Sequence, residues 1–335
     1  MSIKSKVKVP VNLFRKFSLL LTVAAATCAL STAAYAAADD YQQEIQKWQH
    51  DRYETLKAPQ NWLGVNTSVE IPKGTSRIGS GADQDIVLAS GPAHLGTLTL
   101  AADGSLNLAL DPASHASINH PPAGPGSIEP MPMNALYFFP DGNLVVDQVK
   151  NGSNKPPSTV HVNTQTLKFY SYEGDYKKGT KLLLVTDTQD PHITQLKLTY
   201  FPIDPSWKVT ADWEPLKEPR EVEVASVQGS VEKVKLKYKA VFFKDGKRYE
   251  LMPFTQNNER VLFIFADRTS GQETYGGARF LITPPAKDGK IVLDFNKAIN
   301  PPCAFSPFPD CPIAIPENRL PVRVTAGEKK VPEDI

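Results

Sequence analysis

The sequence lacks the short signatures that tie a chain to a reaction. It holds no HExxH, GxSxG, P-loop or GxGxxG pattern. Zinc hydrolysis, serine-elbow hydrolysis and nucleotide binding by those devices therefore find no support. Sulfur is scarce, with three cysteines and four methionines in 335 residues. Six histidines are scattered and none pairs at metal-ligand spacing, so no metal site is read and no cofactor can be named. Acidic side chains are missing from the first sixteen positions. Long apolar runs are missing too. After Leu30 no stretch approaches the roughly 20 residues a membrane-spanning helix needs.

The start of the chain has the three parts of a secretory signal. Lys4, Lys6, Lys8, Arg15 and Lys16 come first, then an apolar run from Phe17 to Leu30, then Ala34-Tyr35-Ala36. The run is too short for a bilayer anchor. Cys28 follows Ala25-Ala26-Thr27, a poor match to a lipidation site. Cleavage after Ala36 removes five of the 37 basic residues and none of the 36 acidic ones, leaving a net charge of −4. The expected protein is exported, periplasmic or secreted, with no membrane span after signal cleavage. Its mild negative charge gives no pull on nucleic acid.

Two cysteines remain, Cys303 and Cys311. In an oxidising compartment an isolated pair eight apart reads as a disulfide. A redox or metal pair is the alternative, without a CxxC spacing or a nearby His to support it. One helix is legible: Asp39 or Asp40 can cap it, Gln43 stands at capping-box spacing from Asp40, and Tyr41, Ile45, Trp48, Arg52 and Leu56 form one stripe. Beyond Pro59 the period becomes two. Val234, Leu236, Tyr238, Ala240 and Phe242 alternate with Lys233, Lys235, Lys237 and Lys239, a half-buried strand with a wet lysine face. Asp-Gly pairs at 103–104, 141–142, 245–246 and 288–289 separate similar runs, as hairpin turns do. Stretches 111–134 and 150–158 read as loops. Strands without alternating helices predict a mainly β chain of antiparallel sandwich or barrel units behind one N-terminal amphipathic helix.

The densest chemistry lies near the C-terminus. Strands at 261–267, 277–282 and 290–296 suggest an up-down-up meander that brings its charged tips to one rim. That rim would carry Asp267, Arg268, Thr269, Glu273, Thr274, Tyr275, Arg279, Asp294 and Asn296. Two arginines among three carboxylates can hold a polar or anionic ligand. Asp267, Glu273 or Asp294 could serve as acid or base. Equally, such groups can neutralise one another and pin loops. His50, on the helix, and His161, on a strand, read as surface residues.

These residues also carry a resemblance. Phe265-Ala266-Asp267-Arg268-Thr269-Ser270-Gly271-Gln272-Glu273-Thr274-Tyr275, Gly277-Ala278-Arg279-Phe280-Leu281 and Asp294-Phe295-Asn296 are followed by Asn300-Pro301-Pro302-Cys303-Ala304-Phe305. Cys311-Pro312, Asn318-Arg319-Leu320-Pro321 and Ala326-Gly327-Glu328-Lys329 complete the signature. Together they resemble domain of unknown function family 1684, uncharacterised proteins of bacteria and archaea. Trp48 with Arg52, Asn61-Trp62-Leu63-Gly64-Val65 and Phe201-Pro202 fit more loosely. The resemblance implies membership of a group with no assigned activity, cofactor or catalytic residue. A second likeness lies earlier: Arg77-Ile78-Gly79-Ser80, Asp85-Ile86-Val87-Leu88 and His94 are similar to the opening of a forkhead-associated β-sandwich. Gly91 stands where that family has a serine before the histidine.

The expected organisation is a signal peptide at 1–36, a helix at 37–58, a first β unit at 59–188, forkhead-associated-like in outline, and a second at 189–335. The expected function is recognition of a small polar or anionic ligand by Arg268, Thr269, Glu273, Tyr275, Arg279, Asp294 and Asn296. The alternatives are a hydrolase-type enzyme using a carboxylate acid or base, and a structural envelope or interaction protein.

Overall fold

The computed structural model describes residues 39–58, 61–119, 129–131, 159–172 and 180–332. The signal peptide, the 150–158 loop, residues 120–128 and 132–134 of the expected 111–134 loop, and the Asp141–Gly142 turn lie outside them. The chain divides into two compact units, 1–47 and 48–335. The described part of the first, 39–47, is helical, and the helix (α1, 39–57) runs on into the second. The second unit holds all the strands among the described residues.

Its N-terminal half consists of β1 (Val65–Glu70), β2 (Gly74–Gly79), β3 (Ile86–Val87), β4 (Gly96–Leu100), β5 (Leu106–Leu110), β6 (Ser117–Asn119), β7 (Glu129–Met131), β8 (Thr159–Val162), β9 (Gln165–Tyr172) and β10 (Lys181–Asp187). One sheet runs β1-β10-β9-β8-β6, with β7 on β9, and another runs β3-β2-β4-β5. Pairing is antiparallel except for β2–β3 and β7–β9. Alternate side chains from both sheets, among them Ile78, Leu98, Val160, Leu167, Leu183 and Val185, meet in one core. A sheet with one apolar face must bury it on another layer, and two such sheets make a sandwich.

A short helix, α2 (Pro191–Gln195), capped by the Asp190 carboxylate, leads to the C-terminal half. That half comprises β11 (Lys208–Ala225), β12 (Val231–Lys244), β13 (Lys247–Leu251), β14 (Pro253–Gln256), β15 (Val261–Phe265), β16 (Arg279–Thr283) and β17 (Lys290–Asp294). The strand read from the lysine alternation is β12. Val234, Leu236, Ala240 and Phe242 are buried, and Lys233, Lys235 and Lys237 are exposed. The lysines face an acidic ladder on β11, with Glu223 opposite Lys233 and Glu221 opposite Lys235. Opposed charges across a ladder stabilise the pairing. Asp245 and Gly246, with φ of 51° and 73°, form the two-residue turn between β12 and β13. Both central residues of such a turn need the left-handed region.

The expected three-stranded meander does not form. β15 and β16 pair, but β17 leaves them and pairs with β11, Asp294 opposite Lys208. The free side of β16 is met instead at Phe280 by Ile299. The physical reason is the one-sided apolarity of β17. Ile291 and Leu293 are buried while Lys290 and Val292 face outward, so the strand belongs at the edge of a half-solvated sheet. β15, by contrast, is buried on both faces. Phe263 and Phe265 pack on Ala211, Phe242 and Leu293, whereas Leu262 and Ile264 pack on Val224, Val234 and Leu236. One long β11–β12 ribbon serves both faces because its register shifts between Pro215 and Arg220. Bulges and prolines are where a strand can bend.

Candidate functional site

The rim residues separate into a buried set and an exposed set. Arg279 opens β16 directly opposite Phe265, the last residue of β15. Its side chain is 1 % exposed and that of Asp267 is 0 % exposed, with Nη2 3.0 Å from the Asp267 carboxylate. Arg279 also donates to the Val324 carbonyl at 2.9 Å and the Ala326 carbonyl at 2.5 Å, and its guanidinium lies 5.1 Å from the Phe265 ring centroid. Asp267 accepts in addition from the Thr269 N–H at 2.8 Å and the Val324 N–H at 2.7 Å. Thr269 and Thr274 share a hydroxyl hydrogen bond at 2.9 Å, both fully buried. Burial draws the Arg279 pKa down, against the opposing pull of Asp267 and Glu328. A buried charge must be paired and fully hydrogen-bonded. Here the pairing clamps the loop 266–278 to the C-terminal segment.

Asp294 and Asn296 are not part of this cluster. Asp294 accepts from the Asn296 N–H at 3.2 Å and caps the short turn Phe295–Lys297. The Asn296 amide exchanges hydrogen bonds with the Asp204 backbone, at 3.0 Å and 2.8 Å.

A second buried pair lies close by. Arg52, from α1, reaches Glu328 at 2.9 Å with side-chain exposures of 3 % and 0 %. Arg52 also donates to the Asn300 carbonyl at 3.3 Å, and the Asn300 N–H donates to Glu328 at 2.6 Å. Sequence reading missed this pair, although a signal was present: Arg52 stands in the apolar stripe of α1, where a charge demands a buried partner. Gly327 lets the C-terminal strap, residues 298–332, turn here, with φ of 81°. A Cβ there would meet the Ala298 carbonyl oxygen at 2.5 Å, so only glycine fits. Asn318, also inside the strap, donates to the Met252 and Ile264 carbonyls and accepts from the Met252 N–H.

The solvent face of the rim is what remains. Arg268 is exposed; Glu273 and Tyr275 are half-buried. Glu273 pairs with Arg323, and burial raises the Tyr275 pKa. The Glu273 carbonyl accepts from the Lys330 N–H at 2.8 Å. Beside them opens a broad hollow of about 440 Å³, lined by Thr199, Gln272, Glu273, Lys329, Lys330, Val331 and Pro332. The Lys329 ammonium lies 4.8 Å from the Phe201 ring centroid. His50 is exposed on α1, and His161 is exposed between Thr159 and Thr166. Among the described residues no group of His, Cys, Asp and Glu is arranged to hold a metal ion.

Cys303 and Cys311 are joined in a disulfide, with Cα atoms 6.1 Å apart. The loop between them is held on the β11–β12 turn. The Gln228 amide donates to the Pro307, Phe308 and Pro309 carbonyls, and Ser230 donates to Asp310. In the N-terminal sandwich the groups at the forkhead-like positions are engaged internally. Arg77 pairs with Asp85, Ser80 donates to the Gly91 carbonyl, and His94 meets Gln84.

Comparison with known proteins agrees with the motifs. No curated protein matches the chain. A solved structure similar to it is the solution NMR structure of an uncharacterized protein from Haloarcula marismortui. It is 30% identical over 41% of this chain and 77% of that one, with a TM-score of 0.34. The family model described as Protein of unknown function (DUF1684) matches residues 196–329, spanning β11 to β17 and the strap with both buried ion pairs' C-terminal partners, and the chain belongs to that family.

Proposed function

We propose that this is an exported β protein that holds a small polar or anionic ligand in the hollow beside the loop 270–277. The basic start, short apolar run and Ala34-Tyr35-Ala36 support export. No helix among the described residues is long and apolar enough to cross a membrane. The observation that carries the ligand reading is the convergence of Lys329 and Lys330 with Thr199 and Gln272 around one hollow. Its backbone is held from behind by the Arg52–Glu328 and Arg279–Asp267 pairs. A stiff frame lowers the ordering cost of binding. Ammonium groups and neutral donors together suit a carboxylate or phosphate. Arg279 and Asp267 act as the frame, and Glu273, paired with Arg323, forms part of the wall.

Thermal denaturation with phosphate and citrate tests this. At ten times the dissociation constant a ligand adds about 1.4 kcal/mol, a rise of about 3 °C in Tm for a chain of this size. The double substitution K329E/K330E should abolish that rise, and loss of the Lys329–Phe201 contact should lower the Tm without ligand by only a few degrees. The reading fails if neither anion raises Tm, or if the double variant keeps the response.

A further inference from the structure

A different cleft lies beside Trp48. Trp48, half-buried in the middle of the α1 stripe, meets the Tyr200 ring edge to face, with centroids 6.5 Å apart and planes 72° apart. Trp48 also lines the cleft, whose volume is about 300 Å³. Ile282 and Pro284, from the end of β16, supply further apolar wall. Two cations reach the same space: Arg260 from the start of β15, with its side chain only 19 % exposed, and Lys297 from the turn after β17. Glu259, 76 % exposed, borders the mouth 3.8 Å from Arg260. The lining therefore carries a net positive charge.

This combination selects a chemistry. Small-molecule sites are mostly apolar, with a few placed polar groups and volumes from about 300 Å³ upward. An indole face and aliphatic wall favour a flat ring. The cations favour a carboxylate at one end of that ring, with Arg260 able to bind it bidentately. A sugar acid fits less well, because the apolar wall of Trp48, Ile282 and Pro284 leaves most of its hydroxyls without partners. Thr283 is the one neutral hydroxyl in the wall, and it is spent on the Pro284 carbonyl at 2.9 Å. We propose that this cleft binds an aromatic carboxylate, stacked on Trp48 and held by Arg260 and Lys297. The site is separate from the lysine hollow and does not depend on it.

Trp48 supplies its own readout. Trp62 and Trp207 are each 4 % exposed, and Trp213 is stacked on Tyr238 at 5.2 Å. Titration of the signal-free chain with benzoate should quench emission saturably. Benzamide, the uncharged isostere, and glucuronate, the sugar acid, should bind at least about tenfold more weakly. The substitution R260E should remove the benzoate response, and W48L should remove both the quench and the heat of benzoate binding measured by calorimetry. Lys297→Gln gives a milder second variant, which should weaken benzoate while the chain stays folded. The proposal is overturned if benzoate gives no saturable signal, if benzamide or glucuronate equals it, or if both folded charge variants bind benzoate as the parent does.

Discussion

Replacing Arg52 by Met should be among the most damaging single changes in the molecule, and the reason is the partner left behind. The Glu328 side chain is fully buried. Without Arg52 it keeps the Asn300 N–H at 2.6 Å but loses its countercharge. The Asn300 carbonyl also loses a donor, and the stacking of the guanidinium on Phe305, at 5.7 Å, disappears. Removing one member of a buried pair costs about 3–5 kcal/mol. That amounts to a drop of about 10 °C in Tm for a chain of this length. The companion change E328Q leaves a buried guanidinium in the same position. Urea unfolding followed by tryptophan emission measures both variants and the double variant R52M/E328Q. Each single change already forfeits the ion pair, so the double variant should be less destabilised than the sum of the two, by at least about 2 kcal/mol. Additive costs, or an R52M effect under about 1 kcal/mol, would refute the claim that this pair fastens α1 to the strap.

Asn318→Ala strands the Met252 N–H and the Met252 and Ile264 carbonyls in a buried site. It should cost about 3 kcal/mol in urea unfolding, and a loss below about 1 kcal/mol would show that the amide bridge contributes little. For Tyr200, burial, with the Glu328 charge added, raises the hydroxyl's pKa against the pull of Arg52. The unfolded chain ionises near about pH 10 while the native hydroxyl stays protonated, so Tyr200's contribution is complete below about pH 10 and lost as pH rises beyond it. The stability difference between the parent and Y200F should therefore shift against the parent above about pH 10, and a pH-independent difference contradicts the assignment.

The helix stripe, the alternation of β12 and the Asp245–Gly246 turn were readable because each follows from residues that are close in sequence. A period-two face or a turn needing positive φ is a local property. The rim was harder to read. Its residue types were visible, and Arg279 does meet Asp267, but composition does not distinguish a buried clamp from an open site. That distinction came from Val324 and Ala326, whose carbonyls complete the guanidinium's hydrogen bonds from 45 and 47 residues away. The proposed ligand site accordingly rests on Lys329 and Lys330 rather than on Arg279 and Asp294.

By itself the sequence determined the mainly β character, the α1 stripe, the candidate disulfide and the family, since local patterning and long motifs suffice for these. Tertiary structure alone decided that β17 pairs with β11 rather than β16, and that Arg52 finds Glu328 across 276 residues of chain. Both choices are made by the burial of faces and charges that no neighbouring residue could satisfy. Partners so far apart in sequence leave no periodic trace of their pairing, and they meet only when the core they share has closed.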